Sequence, residues 1–242
     1  KHENHTPVGA FKVRGGLTYF EALRRREPQC RGVMAATRGN HGQSVAFAAQ
    51  RHGLAATIVV PRGNSVEKNA AMRALGAELV EHGDDFQAAR EHAIARAAER
   101  GEHLLPSYHD DLVLGVATGW VEYFQAVQPD VVYVPIGLGS GLAACAAARA
   151  HTGARSRIVG VVSAHALAYQ LSFRAGHAVD SPVSTQLADG MACRVPDAQA
   201  LAVIFREADD VLAVTDDEVA AAMRALFADT HNVAEGAGAA AF

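Results

Sequence analysis

Short runs of β-branched residues alternate with longer stretches of helical period along the chain, and this rhythm constrains the fold more than any other feature. Strands followed by helices in steady alternation build parallel sheets covered by helices, so the expected class is α/β. Strands are expected at 32–36 (GVMAA), 55–60 (AATIVV), 77–80, 103–106, 130–135 (DVVYVP), 157–162 (RIVGVV) and 211–214. Helices are expected at 41–52, 65–75, 84–100, 111–127, 141–152, 164–175 and 216–230. The stretch 84–100 sets Phe86, Ala89, Ala93, Ile94 and Ala97 on one stripe with Arg and Glu opposite, the pattern of an amphipathic surface helix. Asp216 and Glu218, ahead of an apolar run, read as the start of a helix. No repeat or linker divides the chain, so two α/β layers are inferred from the rhythm alone.

With 242 residues, half of them apolar, the chain is long enough for one or two domains and for a core without disulfides or structural metal. A net charge of -4 without long single-sign runs provides no basic footprint for nucleic acid or an anionic membrane. The expected partners are small molecules and further copies of the chain. Cys30, Cys145 and Cys193 are too far apart for a zinc knuckle and odd in number, which points to a reducing, cytoplasmic setting. Residues 131–148 carry no charge, but Pro135 and three glycines interrupt them, so they read as strand, glycine loop and helix rather than a membrane span. The chain begins without Met and stops at Phe242 in an Ala/Gly-rich helical pattern, so both ends read as truncated.

Three stretches could carry chemistry. In Gly9-Ala10-Phe11-Lys12-Val13-Arg14-Gly15-Gly16, Lys12 is one of only three lysines beside nineteen arginines. An amine that must lose its proton to form an imine cannot be exchanged for guanidinium, so Lys12 is a candidate nucleophile, the alternative being a snorkelling lysine on a loop. Thr37-Arg38-Gly39-Asn40-His41-Gly42-Gln43 joins a strand to a helix. Asn40 could cap that helix, the amides could seat an anion, and His41 is one of twelve scattered histidines. Gly137-Leu138-Gly139-Ser140-Gly141 follows a strand and opens an alanine-rich helix, which suits either a phosphate seat or a tight turn. It lacks the Lys-Ser/Thr of a Walker loop, and Val162-Ser163 supplies no acidic residue for a dinucleotide ribose, so a monophosphate fits better than NAD.

In this order the three stretches point to one cofactor. The sequence resembles the fold type II pyridoxal-phosphate enzymes, in the serine/threonine dehydratase and serine racemase branch. The resemblance runs through E-x-x-x-P-x-G-A-F-K-x-R-G (Glu3–Gly15), G-N-H-G-Q, the glycine loop, Ala188-Asp189-Gly190 and Glu235-Gly236-Ala237-Gly238. It implies a two-domain, tryptophan synthase β-like architecture with parallel-rich sheets: 1–31 and 111–242 as the large cofactor-binding domain, 32–110 as a small mobile one. Lys12 would hold pyridoxal 5′-phosphate covalently and move the Cα proton. The amides of Gly137, Leu138, Gly139, Ser140 and Gly141 would hold its phosphate. Asn40 would bond its phenolic oxygen, Phe11 would pack beside the ring, and Glu235 would lie near the pyridine. The turn Thr37, Arg38, Gly39, Asn40 and His41 would receive the substrate carboxylate.

The implied activity is a dehydratase, or ammonia-lyase, acting on a threonine- or serine-like amino acid in a homo-oligomer. Racemisation or β-replacement on the same cofactor is the alternative within enzymes, and an inactive ligand-binding fragment the alternative outside them. Arg38 departs from the family, which places a serine there for the opposite cofactor face in racemases. It points away from two-base racemisation, because guanidinium holds its proton near neutrality, and toward a less common hydroxyamino acid, as in hydroxyectoine-breakdown or phenylserine dehydratases. Val162 and Ala168 stand where racemase-like relatives carry metal-binding carboxylates, so no metal is expected.

Overall fold

The computed structural model describes residues 1–242. They divide into two compact units, one of residues 2–115 and one of residues 116–242 with Lys1. The first unit holds α1 (Lys12–Arg26), β1 (Gly32–Ala36), α2 (Asn40–Arg51), β2 (Ala55–Val60), α3 (Val66–Ala74), β3 (Glu78–Glu81), α4 (Phe86–Arg100) and β4 (His103–Leu104). Helix α5 (Asp110–Ala126) runs across the boundary. The second unit holds β5 (Val131–Pro135), α6 (Ser140–Thr152), β6 (Arg157–Ser163), α7 (Ala168–Ala175), a 3₁₀ turn at Asp189–Met191, α8 (Ala198–Glu207), β7 (Asp210–Val214), α9 (Asp216–Thr230) and α10 (Gly236–Ala239). By packing, segment 2–31 groups with residues 32–115.

All strand pairings are parallel, in the orders β3-β2-β1-β4 and β5-β6-β7. The period of two explains why β1 is buried at every position. Val33 and Ala35 join Ile58 and Val60 on one face against Phe20, Leu23, Val45 and Ala49 of α1 and α2. Met34, Ala36 and Val59 meet Ala89, Ala93 and Ala97 of α4 on the other. A strand sandwiched this way loses the polar alternation of a half-exposed one, which is why it reads as a continuous apolar run. In the second unit Val161 of β6 packs with Ala188, Met191, Val219 and Ala240.

The expected elements are all present, with ends shifted by a few residues, but three details differ. Helix α1 was not anticipated, because Gly15-Gly16 is poor helix material. A Cβ at Gly15 would lie 2.7 Å from the Leu112 carbonyl oxygen, and one at Gly16 2.2 Å from Ser44 Oγ, so close packing rather than propensity selects the glycines. Helix α8 was also missed; Asp197 caps it by accepting the Gln199 and Ala200 amides. Ile94, expected on the α4 stripe, is exposed, and the buried stripe is Ala89, Ala93 and Ala97. Helix α9 begins at Asp216 as expected, and Thr215 caps it in a capping box with Glu218. The 131–148 stretch is strand, loop and helix as expected, and no helix is long and apolar enough to cross a membrane.

Candidate active site

The predicted site residues divide between the units: Phe11, Lys12 and Thr37–His41 in the first, Gly137–Gly141 and Glu235 in the second. Lys12 is the first residue of α1, half-buried, with Nζ 5.1 Å from the centre of the Phe11 ring. The motif around it ties itself together. Glu3 accepts from Arg14 Nε at 2.7 Å and from Nη2 at 3.2 Å, and Thr6 Oγ1 accepts the Ala10 amide at 2.9 Å. Ser44 Oγ on α2 donates to the Lys12 carbonyl at 2.7 Å. The lysine backbone is thereby fixed from both sides, which the alternative of a loose loop lysine does not require.

The turn before α2 is ordered by Thr37. Its amide donates to the Val59 carbonyl, and its hydroxyl accepts the Gly39 amide at 2.9 Å and the Gly42 amide at 3.3 Å. Capping therefore falls to Thr37, while Gly39 occupies the N-cap position and Asn40 is already helical, correcting the expectation that Asn40 caps. The Gln43 amide binds the Gly39 carbonyl, which closes the first turn of α2. Lys68, a residue the motifs did not single out, crosses this turn: a Cβ on Gly39 would lie 2.3 Å from Lys68 Cδ. Its rarity as one of three lysines was the available signal. Arg38 Nε is buried without a hydrogen-bond partner.

His41 is buried, donates to the Pro106 carbonyl and has no partner at Nε2. Burial, reinforced by the Lys12 charge, pushes its pKa down to about 3. The ring is thus neutral, with its proton on Nδ1 and an open acceptor at Nε2. The unfolded chain takes up this proton near pH 6.5, so between there and about 3 it holds more protons than the folded chain. Stability must then fall as pH falls through that window, by up to about 1.4 kcal/mol per pH unit, and the histidine contributes no slope above it. Denaturant titrations at pH 7, 6, 5 and 4 are expected to show the parent losing stability faster than His41→Gln; parallel curves would contradict the burial of a neutral ring.

In the second unit, β5 ends at Pro135 and the glycine loop enters α6 through Gly139, whose φ of 93° suits only glycine. The Ile136 amide still binds Val161 of the sheet, and the Ala143 amide binds the Gly139 carbonyl. The amides of Gly137 to Gly141 lie between the two ladders at a helix N-terminus, the arrangement that seats an anion. A Cβ at Gly137 would lie 2.4 Å from the Gly190 carbonyl oxygen, and one at Gly139 2.7 Å from the Ala200 Cβ, so the cradle is built of close backbone approaches. Ser140 is buried, and Leu138 and Gly141 are half-buried. Glu235 is the N-cap residue of α10, with Oε1 3.9 Å from the position of a Cβ on Gly190. Val162 and Ala168 are buried, and their side chains carry no oxygen.

The sequence pattern described as "Pyridoxal-phosphate dependent enzyme" matches residues 1–242. The chain belongs to this family. The L-threonine ammonia-lyase of Geobacter sulfurreducens is 38% identical over 99% of this chain and 60% of its own length. The L-threonine ammonia-lyase of Thermotoga maritima is 34% identical with the same coverage. The chain thus spans 60% of the length of these curated relatives. Threonine deaminase isoform 2 of Solanum lycopersicum superposes with a TM-score of 0.91 at 30% identity, covering 100% of this chain and 71% of that one. A pyridoxal 5′-phosphate-dependent aspartate racemase superposes at 0.94 with 26% identity, covering 100% and 75%. The expected fold type, family branch and cofactor are borne out. Gly137 and Gly139, where a Cβ would collide with Gly190 and Ala200, hold the loop backbone close at a helix N-terminus, which fits the phosphate of that cofactor.

Proposed function

We propose that the chain carries the catalytic core of a pyridoxal-phosphate-dependent dehydratase that converts a β-hydroxy-α-amino acid into a 2-oxo acid and ammonia. The observation that carries this reading is the likeness, along 99% of the chain, to proteins named L-threonine ammonia-lyase. In it, Lys12 is the covalent attachment point and, as a free amine, takes the Cα proton. When bound, pyridoxal phosphate supplies the electron sink for the carbanion left at Cα. The substrate loses that proton and its β-hydroxyl as water, and hydrolysis of the resulting enamine returns a water and releases ammonia. The Gly137–Gly141 amides take the phosphate, Asn40 the phenolic oxygen, and Glu235 stands on the pyridine side. The turn Thr37–His41 receives the substrate carboxylate. Residues 32–110 serve as the mobile small domain, with 1–31 and 111–242 as the larger one. Assembly into a homo-oligomer belongs to the same reading, and light scattering tests it.

The aspartate racemase likeness supports a second reading, racemisation on the same cofactor. It needs a second base, and Arg38 stands where that base would be; a guanidinium does not give up its proton near neutrality. One incubation separates the two: 2-oxo acid released from a single enantiomer, with the recovered substrate still enantiopure, supports the dehydratase, and a racemic residue without 2-oxo acid refutes it.

Arg38, with its buried unpartnered Nε, is read as the group that meets a polar or anionic side chain of the substrate. On a panel of hydroxyamino acids, Arg38→Ser is expected to lower kcat/KM for the preferred substrate roughly tenfold or more while sparing serine, the scale of one lost charge-assisted hydrogen bond. Unchanged relative rates would remove the role.

A further inference from the structure

The geometry points to Tyr169 as a positioning residue for the phosphate seat, acting as a latch on one peptide plane of the glycine loop. Tyr169 lies in the first turn of α7 and is almost wholly buried. Its hydroxyl donates to the Leu138 carbonyl at 3.1 Å and accepts the Asp197 amide at 3.0 Å. In a planar trans peptide the carbonyl of one residue and the N–H of the next point in opposite directions. Holding the Leu138 carbonyl on Tyr169 therefore fixes the Gly139 N–H on the opposite side of the plane. Were the plane to rotate, that N–H would leave the seat and a carbonyl oxygen would replace it, turning an anion-binding position into a repulsive one. Such a rotation is easiest beside glycine, so the residues that make the cradle possible also make it prone to flip.

The latch is itself anchored. Asp197 caps α8 through the Gln199 and Ala200 amides, and Ala200 is the residue whose Cβ crowds Gly139. The circuit from Leu138 through Tyr169, Asp197 and α8 returns to Gly139, one residue along the loop. Nothing local in the sequence marks Tyr169, because its partners lie 31 and 28 residues away.

This inference rests on the reading of Gly137–Gly141 as a phosphate seat, and the test separates the two. Apoprotein is titrated with pyridoxal 5′-phosphate, with pyridoxal, which lacks the phosphate, and with inorganic phosphate as competitor, and the 31P resonance of the bound cofactor is recorded. Tyr169→Phe is expected to weaken pyridoxal 5′-phosphate and inorganic phosphate roughly tenfold each, the scale of one buried hydrogen bond, and to shift the 31P resonance, while leaving pyridoxal unchanged. Ser172→Ala is the control for a merely structural effect. It lies on the same helix and loses buried hydrogen bonds to Ala168 and Val179 without touching the loop. It is expected to lower the melting temperature and spare phosphate affinity. Equal weakening of pyridoxal and its phosphate, or unchanged phosphate affinity in folded Tyr169→Phe, would overturn the latch. A parent protein that binds neither pyridoxal 5′-phosphate nor phosphate would overturn the seat and the latch together.

Discussion

Lys12→Ala is expected to abolish 2-oxo acid formation, with a rate loss of roughly 10³-fold or more, because it removes both the covalent attachment and the base for the Cα proton. Lys12→Arg is expected to fail equally. It keeps the positive charge beside the Phe11 ring, but guanidinium stays protonated and does not form the covalent link. That comparison separates a chemical role from an electrostatic one. Folding should survive both changes, since the position is held through its backbone by Ser44 and the motif by Glu3, Arg14 and Thr6. Circular dichroism and melting curves check the fold, and a coupled assay of 2-oxo acid checks the rate. Near-parent turnover in either variant would refute the assignment.

Gly137→Ala is expected to reduce retention of pyridoxal 5′-phosphate by roughly a hundredfold and to destabilise the protein by about 1–3 kcal/mol, as overpacking does. The new methyl would lie 2.4 Å from the Gly190 carbonyl oxygen, which is backbone and cannot swing aside. Nor can Gly190 retreat freely, because the space at its own Cβ position is closed by the Ala237 Cβ at 2.9 Å. The loop itself must shift, and its amides leave their positions. Gly153→Ala is the comparison: its added Cβ meets nothing within 4 Å, but its φ is +71°, so it costs about 1 kcal/mol from the backbone alone and should leave cofactor retention intact. Dialysis followed by absorbance of the retained cofactor reads the difference. Equal retention in the two variants would show that the cradle does not hold the phosphate.

What the sequence made legible follows from which interactions are local. The parallel strands showed because burial on both faces writes an apolar run into the chain, as in β1. The glycine loop showed because strand, turn and helix are contiguous. Helix α1 did not, since Gly15 and Gly16 lower its helix propensity in favour of contacts with Leu112 and Ser44, one nearly a hundred residues distant in sequence. For the same reason Asn40 invited a capping role that Thr37 performs, a difference that becomes visible only when Thr37 is seen reaching the Gly39 and Gly42 amides. The motif residues Glu3 and Arg14 were quoted as pattern, and the structure supplies their reason, a paired clamp on the segment that presents Lys12. Tyr169 and Lys68 belong to no motif: the hydrogen bonds of Tyr169 and the approach of Lys68 to Gly39 join segments far apart in sequence.

Borohydride reduction of the cofactor-loaded protein, followed by peptide mapping, tests the central claim most directly, because the chain contains only three lysines, Lys1, Lys12 and Lys68. The expected result is a single pyridoxyl adduct on the peptide bearing Lys12. An adduct confined to Lys1 or Lys68, or none on a protein that takes up no pyridoxal phosphate, would contradict it.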